Sequence, residues 1–111
     1  MFSKIQRKLL GIKYNVDVCE QSGTMLTVRG WLCSEKCKIS KVHFLIEDKR
    51  GNKFNIKGRY DISRNDVYQD LKIESAKKSG YYVQAIVERI KEYDVWIVFS
   101  CESKKYRIHL G

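Results

Sequence analysis

The chain contains no proline and only two histidines, and its 13 acidic residues are outnumbered by 22 basic ones, leaving a formal net charge of +9. With no proline and only seven glycines among 111 residues, a collagen-like chain is excluded. No stretch approaches the roughly 20 apolar residues of a membrane-spanning helix, and the N-terminus carries no signal-peptide pattern. Neither GxGxxG nor GxxxxGK occurs, so no glycine-rich phosphate loop is present. Internal repeats, low-complexity tracts and linkers are missing as well. What remains is 43% hydrophobic and 12% aromatic, enough to build a core within one domain of ordinary size.

The dominant period is two. Tyr14, Val16 and Val18 alternate with Lys13, Asn15 and Asp17; Leu26, Val28 and Leu32 with Thr27, Arg29 and Trp31; Val42, Phe44 and Ile46 with Lys41, His43 and Glu47; and Phe54, Ile56 and Tyr60 with Lys53, Asn55, Lys57 and Arg59. Tyr81, Val83, Ala85 and Val87 share one parity, and so do Tyr106, Ile108 and Leu110. Such alternation marks strands with one buried and one wet face. Val95 to Phe99 is apolar on both parities, which predicts a central strand. Lys49-Arg50-Gly51-Asn52 reads as a hairpin loop, and Ser22-Gly23 and Ser79-Gly80 as further turns. About seven strands so punctuated predict an all-β, antiparallel β-sandwich, with a closed barrel as the alternative.

Two segments break the alternation. Val67 and Leu71 lie four apart behind Ser63, a candidate cap, which predicts one short helix near residues 64–72. Phe2, Ile5 and Leu9 make a helical stripe beside Lys4, Arg7 and Lys8. Residues 1–12 are thus read as a basic amphipathic segment able to rest on an anionic membrane surface, and residues 13–111 as a single sandwich domain.

Chemistry-bearing residues are sparse. Cys33 and Cys37 form one loosely spaced pair, with Cys19 and Cys101 far away, whereas a structural zinc site advertises two close pairs. No metal or cofactor is expected, and the cysteines are read as reduced packing thiols, since a disulfide calls for an oxidising compartment. His43 and His109 fall on the polar parity with no nucleophile or orienting-acid motif, and Glu47-Asp48 leads into a turn. No catalytic residue is assigned, and the chain by itself is not read as an enzyme.

Two binding readings compete. Lys53, Lys57, Arg59, Lys104, Lys105 and Arg107 could form a basic face for nucleic acid, although acids are scattered throughout and no RNA-binding motif occurs. Trp31, Tyr82 and Trp96 fall opposite the main apolar rows, and outward aromatics suit the apolar face of a sugar ring, with Arg59 as a hydrogen-bonding neighbour. Against that, Trp96 lies in a strand apolar on both sides, and a bulge near Gly30 would turn Trp31 into the core.

Read in order, Val28-Arg29-Gly30-Trp31, Ile39 to Asp48, Gly51-Asn52, Arg64-Asn65-Asp66-Val67 and Ser79-Gly80-Tyr81-Tyr82 resemble the N-terminal β-sandwich accessory domain of bacterial glycosyltransferases that build cell-surface polysaccharides. The likeness spans residues 14 to 110 in short motifs, with Tyr81 where that pattern usually has Phe. It implies an immunoglobulin-like or carbohydrate-binding-module-like sandwich that is non-catalytic, with the catalytic glycosyltransferase domain elsewhere in the same polypeptide. It also implies a cytoplasmic location, peripheral to the inner face of the plasma membrane. Gly30, Arg64, Asp66, Gly80 and Tyr81 become structural motif positions, and Trp31, Tyr82, Trp96 and Arg59 the candidate glycan contacts. Arg64 is expected to pin the helix to the sandwich edge through a carboxylate.

Overall fold

A computed structural model describes residues 11–87 and 92–111. Eight strands, all paired antiparallel, form two four-stranded sheets. In chain order they are β1 (Ile12–Ser22), β2 (Met25–Ser34), β3 (Ser40–Asp48), β4 (Lys53–Ile56), β5 (Arg59–Ile62), β6 (Gly80–Ile86), β7 (Tyr93–Cys101) and β8 (Lys104–His109). Sheet 1 has the order β1-β2-β6-β5 and sheet 2 the order β4-β3-β7-β8. Between β5 and β6 the chain makes a helix, α1 (Asn65–Leu71), and a 3-10 turn (Glu74–Lys78). The N-terminal amphipathic stripe lies outside the described residues.

Alternation becomes two facing apolar surfaces. Leu26, Val28, Leu32, Tyr81 and Val83 of sheet 1 meet Phe44, Ile46, Val95, Ile97, Phe99 and Ile108 of sheet 2 in one buried cluster. Each such side chain contributes roughly 1.5–3 kcal/mol by leaving water. The doubly apolar run around Trp96 is a central strand, β7, between β3 and β8. The sandwich expectation therefore holds.

Three local expectations are corrected. The strand expected from Phe54 to Tyr60 is broken at Lys57-Gly58, so there are eight strands among the described residues, with β4 in sheet 2 and β5 in sheet 1. Gly58 sits at this change of sheet because a Cβ there would come within 2.4 Å of the Phe44 ring. A bulge does lie beside Gly30, but on β1, where Asp17 is the extra residue between Val16 and Val18 opposite Gly30 and Arg29, so β2 stays regular and Trp31 is not turned into the core. The bulge turns Val18 to the outer face beside Arg29 and brings Cys19 opposite the inward Val28. Finally, Arg64 rather than Ser63 occupies the N-cap of α1, with no side-chain cap bond.

The cysteine reading also changes. Cys37, in the β2–β3 loop, is bonded to Cys101 at the end of β7, their Cα atoms 5.8 Å apart. Only Cys19 and Cys33 are free. The partners are 64 residues apart in sequence, so nothing in their spacing announces the pair. It is the sandwich that delivers both to one spot.

Candidate functional site

The β5–β6 excursion covers one end of the outer face of sheet 1. Val67 of α1 and Ala76 of the 3-10 turn are buried with the outward-facing Cys33, and Trp31, Tyr68, Leu71 and Ile73 pack around them. Trp31 is therefore half-buried at the margin of this small second cluster. It remains on the outer face, paired across β6 with Gly80.

Two residues along the ladder, on the same face, the cover ends. Arg29 of β2 is paired with Tyr82 of β6, and Tyr82 in turn with Arg59 of β5. With Val18 of β1 opposite Arg29, a single row, Val18-Arg29-Tyr82-Arg59, crosses all four strands. Arg29 and Arg59 are exposed and Tyr82 is half-buried between them. Beyond this row come Thr27 and Gln84, joined by a 3.4 Å hydrogen bond. Arg29 belongs to the site although neither charge counting nor parity singled it out. It becomes prominent only when register sets it beside Tyr82.

The motif residues form the frame under this row. Tyr81 points inward, and its hydroxyl donates to the Asn15 carbonyl of β1 at 3.2 Å. To get there the ring crosses β2 over Gly30, where a Cβ would lie 2.5 Å from the Tyr81 hydroxyl oxygen. Tyr60 is held similarly, donating to the Leu32 carbonyl at 2.6 Å. Burial pushes both phenols well above their ordinary pKa, so each stays a hydrogen-bond donor.

Arg64 crosses the outer side of the same sheet. Its Nε and Nη2 donate to the two carboxylate oxygens of Asp66 at 3.0 and 2.8 Å, and Nη1 donates to Asp17 of β1 at 2.8 Å. The side chain passes Gly80, where a Cβ would meet Arg64 Cγ at 3.0 Å and Ile62 at 2.9 Å. One guanidinium thus ties the first turn of α1 to the bulge on the edge strand. With its side chain 21% exposed and two carboxylates satisfied, it is committed to structure. The Arg64 hydrogen bonds hold the Asp66 carboxyl well down, at about 2. A carboxylate lowered by folding stabilises fully above the ordinary carboxylate range, and the gain is lost as pH falls through about 2. Arg64→Met is expected to lower the melting temperature at pH 7. The gap from wild type should narrow between about pH 4 and pH 2. A thermal melt series across pH checks this, and a gap constant down to pH 2 would refute the assignment.

Trp96 stands apart from the other three sequence candidates. It faces outward from sheet 2, on the opposite side of the sandwich, with a core layer about 10 Å thick between. The Arg107 guanidinium lies 4.3 Å from its ring centroid and the His109 ring packs edge-on at 4.9 Å. His109 in turn contacts Asp94 at 3.0 Å. The indole surface that would receive a sugar is covered by this chain's own arginine. Trp31, Tyr82 and Arg59 share a face; Trp96 cannot join them.

Elsewhere, an open groove of about 870 Å³ runs between the β2–β3 loop, β5 and the 3-10 turn, lined by Tyr60, Ser75 and lysines 36, 38, 77 and 78 among others. The Asp48 carboxylate accepts from the Arg50 and Asn52 backbone N–H groups at 2.9 Å and closes the β3–β4 turn. Among the described residues no cluster of three or more His, Cys, Asp or Glu could hold a metal ion, and no helix is long and apolar enough to cross a membrane. Comparisons with protein-family models, with curated proteins and with solved structures find no match to this chain.

Proposed function

We propose that this chain is a non-catalytic accessory module of a bacterial glycosyltransferase involved in cell-surface polysaccharide synthesis, and that it binds the acceptor glycan on the open end of sheet 1. The observation that carries the reading is Tyr82 set between Arg29 and Arg59 on the outer face of sheet 1, with Trp31 two residues along β2 on the same face. An aromatic ring flanked by planar multi-donor groups offers a stacking surface and hydrogen bonds to hydroxyls together. In this reading the partner is the catalytic domain of the same polypeptide, and the excess of positive charge favours an anionic membrane surface nearby. A cytoplasmic position, peripheral to the inner membrane face, belongs to the same proposal. The Cys37–Cys101 bond pulls the other way, because disulfides persist in oxidising compartments. Thiol counts on protein trapped directly from cells decide between them.

Titration with a panel of bacterial oligosaccharides, followed by tryptophan fluorescence and calorimetry, tests binding. The expected result is a saturable change that survives Trp96→Phe and disappears in Tyr82→Ala. No heat and no fluorescence change with any member of the panel would end the glycan reading. The second reading is a basic nucleic-acid-binding β domain, supported by the same row, since a base also stacks on tyrosine beside arginine. The steepness of the salt dependence separates the two: binding along a phosphate backbone releases many counterions and weakens steeply as salt rises, whereas a sugar unit bearing no charge or a single charge responds far less.

A further inference from the structure

The arginines of the described surface divide into those with intramolecular work and those without. Arg64 is consumed by Asp17 and Asp66. Arg107 lies on the Trp96 ring. Arg29, Arg50 and Arg59 have no ion pair or side-chain hydrogen bond among the described residues; Arg50 stands apart in the β3–β4 turn, whereas Arg29 and Arg59 flank one tyrosine from the strands on either side of it. Strands in a sheet are about 4.8 Å apart, so the two arginine backbones stand about 10 Å from each other with Tyr82 midway. Of the carboxylates on this side of the sheet, Asp17 and Asp66 are held by Arg64, and Glu20, outward on β1 opposite Thr27, makes no ion pair with either arginine among the described residues. Two like charges displayed on one patch repel, and an anion between them removes that repulsion while filling both donor forks.

We infer that the saccharide taken by this face is anionic, a sugar unit carrying a carboxylate or a phosphate that lies on Tyr82 and is gripped from both sides by Arg29 and Arg59. This rests on the glycan-binding reading above and narrows its substrate class. The sugar ring supplies an apolar face to Tyr82, and its charged substituent accepts paired N–H donors from a guanidinium. A neutral sugar would use the ring and leave both guanidinium groups facing only water. Tyr82 alone would be a weak, unselective shelf; the two arginines make it selective by charge.

The experiment is calorimetric titration of the full chain at low and at physiological salt with four probes of matched length. They are a galacturonic acid tetrasaccharide, a neutral glucose tetrasaccharide, a phosphodiester-linked oligosaccharide and a short oligothymidylate, with inorganic phosphate as a fifth. The expected result is binding of one or both acidic saccharides, with the carboxylate and phosphate arms showing which anion is preferred, and at least tenfold weaker binding of the neutral one. Arg29→Gln and Arg59→Gln should each weaken the acidic ligand about tenfold, one charge-assisted contact's worth. Lys105→Gln, on the opposite sheet, should change nothing. Both arginines are exposed, so these variants should keep the wild-type melting temperature. Equal binding of neutral and acidic tetrasaccharides would overturn the charge selectivity and leave the glycan reading standing. Binding of no saccharide at all would overturn both. Oligothymidylate bound more tightly than either acidic sugar would overturn the inference in favour of nucleic acid, and inorganic phosphate bound as tightly as the sugars would reduce the patch to a simple anion site.

Discussion

Reducing the Cys37–Cys101 bond should destabilise the domain by about 4 kcal/mol and lower its melting temperature by on the order of 15 °C. The bond ties residues 64 apart in sequence, so it removes a large share of the unfolded chain's freedom. In the folded state it fastens the β2–β3 loop, through the half-buried Cys37, to the fully buried Cys101 at the end of β7. That loop forms one wall of the groove beside Tyr60 and Ser75, so its loosening should be felt there first. The measurement is a pair of melts with and without reductant, beside a thiol count in denaturant. Two alkylatable thiols before reduction and four after are expected, because Cys19 and Cys33 are free. Four thiols before reduction, or melts that superimpose, would show that the bond does not form or does not matter. Reductant is the cleaner perturbation, since Cys101→Ala would also leave a gap in the core.

Gly30→Ala should cost at least about 3 kcal/mol, the upper range for forcing atoms into a filled core. A Cβ at this position would stand 2.1 Å from the Asn15 carbonyl oxygen and 2.7 Å from Tyr81 Cζ. Neither neighbour can step aside. The carbonyl belongs to the β1–β2 ladder, where Asn15 is paired with Trp31, and the Tyr81 ring is fully buried. Tyr81→Phe in the Gly30→Ala background should therefore restore little, because the backbone clash persists. Gly23→Ala is the useful contrast. Gly23 has φ +61° but nothing within 4 Å of its Cβ, so its cost is backbone strain alone, about 1 kcal/mol. A Gly30→Ala protein melting within a few degrees of wild type would mean that neither the Asn15 carbonyl nor the Tyr81 ring lies against Gly30 as described. Insoluble expression of that variant beside a soluble Gly23→Ala agrees with the expected clash.

Much of the fold was legible because its physics is local. Period-two alternation assigned Leu26, Val28 and Leu32 to the core and Arg29 and Trp31 to the outside, and the structure places them so. The Asp48–Asn52 turn was announced by its glycine, which takes φ +85°. Less legible was the β7–β8 turn, where Glu102 and Ser103 both adopt positive φ without glycine or asparagine to signal it. The β1 bulge was equally silent, since nothing in Val16-Asp17-Val18 separates an extra residue from a regular strand; its Asp17 is held by Arg64, 47 positions away. The candidate site shows the same division. Tyr82 and Arg59 were visible as outward residues, whereas Trp96 passed the same parity test yet lies on the opposite sheet.

By itself, then, the sequence determined which residues face inward wherever a strand runs without a bulge, because a side chain's face follows from its position in its own strand; on β1 the bulge at Asp17 reversed that order for Val18 and Cys19. Only the tertiary structure decided which strands are neighbours, and neighbours are what make a site. Pairing β6 between β2 and β5 set Tyr82 between two arginines, closing the sandwich brought Cys37 to Cys101, and the turn at Gly58 sent one apolar run into two sheets. Those outcomes depend on contacts between residues tens of positions apart, which parity along one strand cannot encode.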